Sequence, residues 1–223
     1  MLNVSDELLR IPRGSVGNPT PWVYQTNFPG TENPLSEGGV WVNGLADGTD
    51  WNNIRKTPGK AFATANVSDT EPERYADNLA HLNLAFNANQ YAQGVVFLAG
   101  GYTPGNTHEI ELLLRFQITA GVARGYETLW NADGHIAVVR WNGDLGDFTV
   151  INEGPDISPP VDGDTLRMEI TGGIIRVYRN TGLVVTVAED LTWATGKPGI
   201  GFWPTSAATL ANYGWKSFEA GNL

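Results

Sequence analysis

The sequence has no cysteine. That removes disulfides, thiolate zinc sites and a thiol nucleophile from consideration, and it argues against a small disulfide-built extracellular module. Basic residues are few: 14 Lys and Arg against 24 Asp and Glu give a formal charge of −10. A chain this acidic repels nucleic-acid phosphates and anionic membranes, and no basic stripe offsets the repulsion. No nucleic-acid or membrane partner is therefore expected. No apolar run approaches the roughly 18 residues of a membrane span. The opening MLNVSDELLRIPRGSVGNP lacks a basic start followed by an apolar stretch, so no signal peptide is expected in this chain. The compartment stays open, with an extracellular or virion surface among the options. Only three histidines occur, His81, His108 and His135, on separate segments without metal-ligand spacing. No Gly-x-Ser-x-Gly elbow is present.

What the chain does have is glycine, 27 residues, and tryptophan, eight residues. This mix suits pleated strands joined by tight turns. Residues 1–22 read as an extended Gly/Pro-rich arm, expected to pack on its own domain or on an assembly partner. Residues 23–223 read as one domain, since sandwiches of this size occur undivided. Short apolar or alternating runs follow one another between turn clusters, among them Val23–Phe28, Gly39–Val42, Ile54–Ala65, Leu79–Phe86, Gln93–Ala99 and Glu109–Ile118. Residues 125–130 and 135–141 form the clearest hairpin, joined by Asn-Ala-Asp-Gly. Thr165–Thr171, Ile174–Arg179, Leu183–Ala188, Gly199–Trp203 and Tyr213–Phe218 complete about thirteen strands, with no amphipathic helix. No fixed-period repeat is present, which disfavours a propeller or β-helix. The expected fold is all-β, a two-sheet antiparallel jelly-roll sandwich.

The segment DGDTLRMEITGGIIRVYRNTGLVVTV, residues 162–187, carries Gly-Asp-x-Leu-Arg and then Gly-x-x-Ile-x-Val-Tyr-x-Asn-x-Gly. With Lys-Pro-Gly-Ile-Gly-Phe-Trp at 197–203 and Gly-Trp-Lys-Ser-Phe at 214–218, it resembles the concanavalin A-like, laminin-G-like jelly-roll superfamily of lectins and glucanases. The resemblance spans roughly residues 23–221. It implies the sandwich fold, with the last strand pairing back toward the first. It does not select a function, because that superfamily holds lectins, hydrolases, lyases and structural domains. Leu166, Met168 and Ile170 alternate with Arg167 and Glu169, giving one buried and one wet face.

Two segments carry candidate chemistry. In HEIELLLRF, Glu109, Glu111, Leu113 and Arg115 share one face, and Ile110, Leu112, Leu114 and Phe116 the other. Paired acids on one strand resemble the Glu-x-Asp-x-Glu run of sandwich-fold glucanases, with Leu113 where a third acid would fall. A retaining glycosidase needs two carboxyls about 5–5.5 Å apart. Residues i and i+2 on a strand lie roughly 6.5–7 Å apart at Cα, so Glu109 and Glu111 are the candidate catalytic pair. The alternative is a solvated face with Glu111 paired to Arg115 or to a neighbouring strand.

The hairpin is the second segment. If Trp130 opposes His135, then Tyr126, Thr128, Trp130, His135, Ala137, Val139 and Trp141 share a face. Such a face offers a sugar-stacking platform, and equally a core face. Glu127 and Arg140 then form a diagonal pair. Arg115, His135 and Tyr126 also supply the residue types that lyases of this fold group use.

The leading reading is a non-enzymatic binding or surface module that recognises carbohydrate on a concave sheet face, through Glu111, Arg115, Tyr126, Trp130, His135 and Trp141. The alternatives are a structural or decoration protein of a virion or other assembly, with the arm contacting a further copy or an assembly partner, and a polysaccharide hydrolase or lyase. No cofactor and no metal ligand set is expected, apart from a structural calcium that the loops at Asp47–Asp50, Asp144–Asp147 and Asp156–Asp164 could hold, as in many jelly-roll relatives.

Overall fold

The computed structural model describes residues 23–46, 51–66, 76–105, 107–144, 146–188, 190–205 and 207–223. The expected arm, 1–22, and the Asp47–Asp50 loop lie outside the described residues. Fifteen strands are present among the described residues: β1 (Val23–Thr26), β2 (Trp41–Asn43), β3 (Ile54–Thr57), β4 (Lys60–Ala63), β5 (Asn78–Leu82), β6 (Gln90–Leu98), β7 (Glu109–Thr119), β8 (Val122–Asn131), β9 (Ile136–Gly143), β10 (Phe148–Glu153), β11 (Thr165–Thr171), β12 (Ile174–Arg179), β13 (Gly182–Val187), β14 (Lys197–Trp203) and β15 (Tyr213–Asn222). No α-helix occurs among the described residues, and no helix there is long and apolar enough to cross a membrane.

The strands form two antiparallel sheets. An eight-stranded sheet runs β13-β12-β11-β6-β15-β4-β3, with β1 also paired to β15. A seven-stranded sheet runs β10-β9-β8-β7-β14-β5-β2. The expected sandwich is therefore present, and β15 does return to β1, with Val23 opposite Gly221. Alternation decides the layers. Leu166, Met168 and Ile170 of β11 meet Ile110, Leu112 and Leu114 of β7 in one core, with Tyr126, Trp130 and Trp215. β10 shows no alternation in its burial, and Phe148 and Val150 stand exposed at this edge of the seven-stranded sheet.

The seven-stranded sheet has a second apolar layer on its outer face. Trp51, Leu79, Leu113, Phe116, Ile118, Ala123 and Trp141 pack there, with Trp51 edge-on to Trp141 at 4.5 Å between ring centroids. Phe116 belongs to this outer layer, and not with Leu114 as the alternation predicts. A bulge between Leu114 and Gln117, with Arg115 at φ 48°, shifts the parity of β7.

Candidate functional site

The hairpin register differs from the expected one by a single residue. Trp130 opposes Ile136, and Gly125 opposes Trp141. His135 stays in the turn, where its carbonyl accepts from Asn131 N–H and Gly134 takes φ 104°. That extra turn residue moves Trp141 to the opposite face from Trp130. The expected platform of Tyr126, Trp130, His135 and Trp141 on one face is consequently not formed. Trp130 and Tyr126 are wholly enclosed between the sheets. The Tyr126 hydroxyl bonds Asp190, and Arg140 pairs with the same carboxylate at 2.6 Å, not with Glu127. His135 sits near the surface between Glu153 and Asp156, at 3.2 and 3.3 Å.

Arg115 is not Glu111's partner either. The bulge sends its guanidinium to the end of the sandwich, where it donates to the carbonyls of Ala88, Trp193 and Gly172. This stitches four distant chain segments together.

Glu109 and Glu111 do share the outer face of the seven-stranded sheet, and the fold adds two more acids there. Glu127 on β8 lies directly opposite Leu113, so it fills from the neighbouring strand the place of the missing third acid. Asp77 enters just before β5, tied by its carbonyl to Asn52 N–H at 2.9 Å. Carboxylate oxygens of Asp77, Glu111 and Glu127 lie within 4.8 Å of one another, and all three side chains are buried. Trp141 Nε1 donates to Glu127 at 2.7 Å. Among the described residues, neither Glu111 oxygen accepts from an N–H or hydroxyl; its hydrogen-bond partner is the neighbouring Asp77 carboxyl.

Burial disfavours the charged form, and crowded like charges add to it. Glu109 is pushed up to about 9 by burial and then by Glu127 and Asp133. Glu127 is pushed up to about 7 by burial, despite the Trp141 hydrogen bond. Asp77 and Glu111 are held well above the carboxylate range by burial and by their charged neighbours. The cluster therefore needs protons or a cation.

The outer face of the eight-stranded sheet carries a different arrangement. One row crosses five strands: Gln25, Glu219, Gln93, Arg167 and Tyr178 are successive register partners on β1, β15, β6, β11 and β12. Arg167 lies over the Tyr91 ring at 3.8 Å and donates through Nε to Glu169 at 2.7 Å. Tyr91 in turn donates to Glu219 at 2.6 Å. Burial and that carboxylate push the Tyr91 phenol up to about 12. Stacking and ion pairing leave the guanidinium little freedom. Beside it opens a groove of about 450 Å³ lined by Gln93, Thr165, Arg167, Glu169, Tyr178, Asn180 and Thr181. A second groove, about 470 Å³, crosses the seven-stranded sheet over Phe86, Phe116, Ile118 and His81, with Gln117 and Lys197 at its rim.

The alternation of Arg167 and Glu169 was legible as a wet face. Adding the Gly172–Gly173 turn would have placed Tyr178 opposite Arg167. Asp77 gave no signal, because nothing local ties its polar loop to β7.

No protein-family model and no curated protein matches the sequence. Solved structures do match in fold. The carbohydrate-binding module CBM66 from Bacillus subtilis superposes with a TM-score of 0.53 at 15% identity, covering 84% of this chain and 95% of that one. An endo-acting O-glycanase from the human gut microbiota gives 0.57 at 10% identity, covering 90% and 98%. The GlcNAcα1-4Gal-releasing endo-β-galactosidase from Clostridium perfringens gives 0.56 at 10% identity, covering 94% and 65%. The chain thus has the concanavalin A-like jelly-roll fold, shared with carbohydrate-binding modules and glycosidases.

Proposed function

We propose that this protein is a carbohydrate-recognising module, and that it binds glycan in the groove on the outer face of the eight-stranded sheet. The carrying observation is the Arg167 guanidinium held over Tyr91 and against Glu169 beside that open groove. Sugar hydroxyls need donors and acceptors whose positions are fixed before binding, since ordering flexible side chains costs affinity. Arg167, Glu169, Gln93 and Asn180 supply both kinds, and the Tyr178 ring offers an apolar wall for a pyranose face. Neighbours of the same fold that are carbohydrate-binding modules support this reading. The other groove has buried Phe116 and Ile118 as its floor and fewer fixed polar groups.

A second reading, polysaccharide cleavage, draws on the clustered acids with raised pKa values around Glu111. Against it, Glu111 is 0% exposed, whereas an acid catalyst must touch its substrate.

A glycan and polysaccharide array with the purified chain tests both, with reducing-end and unsaturated-uronate assays on every hit. The module reading expects retention without product, and at least a tenfold loss in Arg167→Ala and in Tyr178→Ala. Product formation lost in Glu111→Gln would establish cleavage instead. Absence of any hit, or retention unchanged in both groove variants, would overturn the assignment to this groove.

A further inference from the structure

We propose that Asp77, Glu111 and Glu127 bind a divalent cation, calcium by donor type and size, in the outer layer of the seven-stranded sheet. All three donors are carboxylate oxygens, with neither His nor Cys in the cluster. Such a set selects a hard cation over zinc or copper. The oxygens lie within 4.8 Å of one another. Oxygen ligands that share one calcium, each at roughly 2.3–2.6 Å from the ion, lie no farther apart than about this, so the cluster is within reach of a single ion.

Two independent observations point to a ligand. The Glu111 carboxylate is fully buried and, among the described residues, has no N–H, amide or hydroxyl donor to either oxygen; its one hydrogen-bond partner there is the Asp77 carboxyl, itself a member of the cluster. A buried carboxylate with only other acids for partners is among the costliest groups a fold can hold. The sheet is also shaped to hold it there. Gly201 on β14 is the register partner of Glu111, and a Cβ at Gly201 would stand 2.1 Å from Glu111 Oε2. The missing side chain leaves a recess through which Glu111 reaches across β14 toward Asp77. Trp141 holds one oxygen of Glu127, which leaves the other for an ion. The site lies on the opposite sheet from the glycan groove and does not depend on it.

The test uses the full chain, treated with chelator and desalted. Terbium is the first probe, because a lanthanide bound beside Glu127 sits close to the Trp141 indole and emits on tryptophan excitation. The expected result is sensitised emission that saturates at a single ion per chain and is displaced by calcium more readily than by magnesium. Calcium should also raise the thermal midpoint by several degrees. Glu111→Gln, whose amide mimics the protonated acid, should stay folded and lose at least tenfold in affinity. Asp77→Asn provides the same comparison should Glu111→Gln fail to fold. Ions held by the surface loops at Asp144 and Asp147 would titrate alike in wild type and both variants. That outcome, or a wild type without emission or calcium-dependent midpoint, would overturn the proposal.

Discussion

Replacing Gly201 by alanine probes the outer layer with a single methyl group. Gly201 sits inside β14 with ordinary extended backbone, so alanine meets no conformational penalty. On backbone entropy alone the change should stabilise the strand by roughly 0.5–1 kcal/mol. Sterics reverse the sign. The new Cβ would lie 2.1 Å from Glu111 Oε2 and 2.4 Å from Leu79 Cδ2. Both are roughly 1 Å or more inside nonbonded contact. Overpacking of this kind costs about 1–3 kcal/mol. With a urea slope of about 2–3 kcal/mol/M, the unfolding midpoint should fall by roughly 0.5–1 M. The cause is separable by a double-mutant cycle. In a Glu111→Ala background the carboxylate is gone, so the cost of Gly201→Ala should shrink by about 1 kcal/mol or more. A neutral or stabilising Gly201→Ala would refute the reasoning, because Glu111 could not then lie across β14. Equal costs in both backgrounds would refute it as well, by placing the whole clash on Leu79.

Two further outcomes follow from burial. Trp130→Ala removes a fully enclosed core indole and should cost about 3–5 kcal/mol; a thermal melt should register it, whereas the groove variant Arg167→Ala should shift stability by only about 1 kcal/mol or less. His108 is buried edge-on to Tyr213, and burial pushes its imidazole down to about 4. The unfolded chain takes up that proton below about 6.5 and the folded one only near 4. Its contribution is therefore present above about 6.5 and lost as pH falls toward 4, roughly 3 kcal/mol in all. Urea midpoints of wild type and His108→Phe at pH 7 and pH 4.5 should diverge accordingly, the variant lacking this loss.

Layer assignment within single strands was readable from sequence, because burial repeats every second residue. Leu166, Met168 and Ile170 against Arg167 and Glu169 show it. Readability stopped at turns and bulges, where one uncounted residue reverses every later side chain. The turn at 131–135 moved Trp141 away from Trp130, and the bulge at Arg115 moved Phe116 away from Leu114. Of the outer-layer acids, Glu109 and Glu111 showed their shared face by spacing alone. Glu127 and Asp77 reach the same place only through strand pairing and sheet order, which no local pattern encodes. The Arg167 row across five strands is long-range in the same sense.

The position of β15 has a bearing on how the chain assembles. This strand, the last of the fifteen to be synthesised, does not sit at an edge. It runs along β6 for its whole length and carries β1 and β4 on its other side. Until Tyr213–Asn222 leave the ribosome, the two halves of the eight-stranded sheet stay unjoined, β6-β11-β12-β13 on one side and β3-β4 with a separate β1 on the other, all with exposed, unpaired strand flanks. Nearly every contact that joins the halves is distant in sequence, so closure is slow by topology, and the open intermediate offers β6 to any extended strand nearby. Chaperone demand and misassembly during expression should therefore concentrate on this one seam.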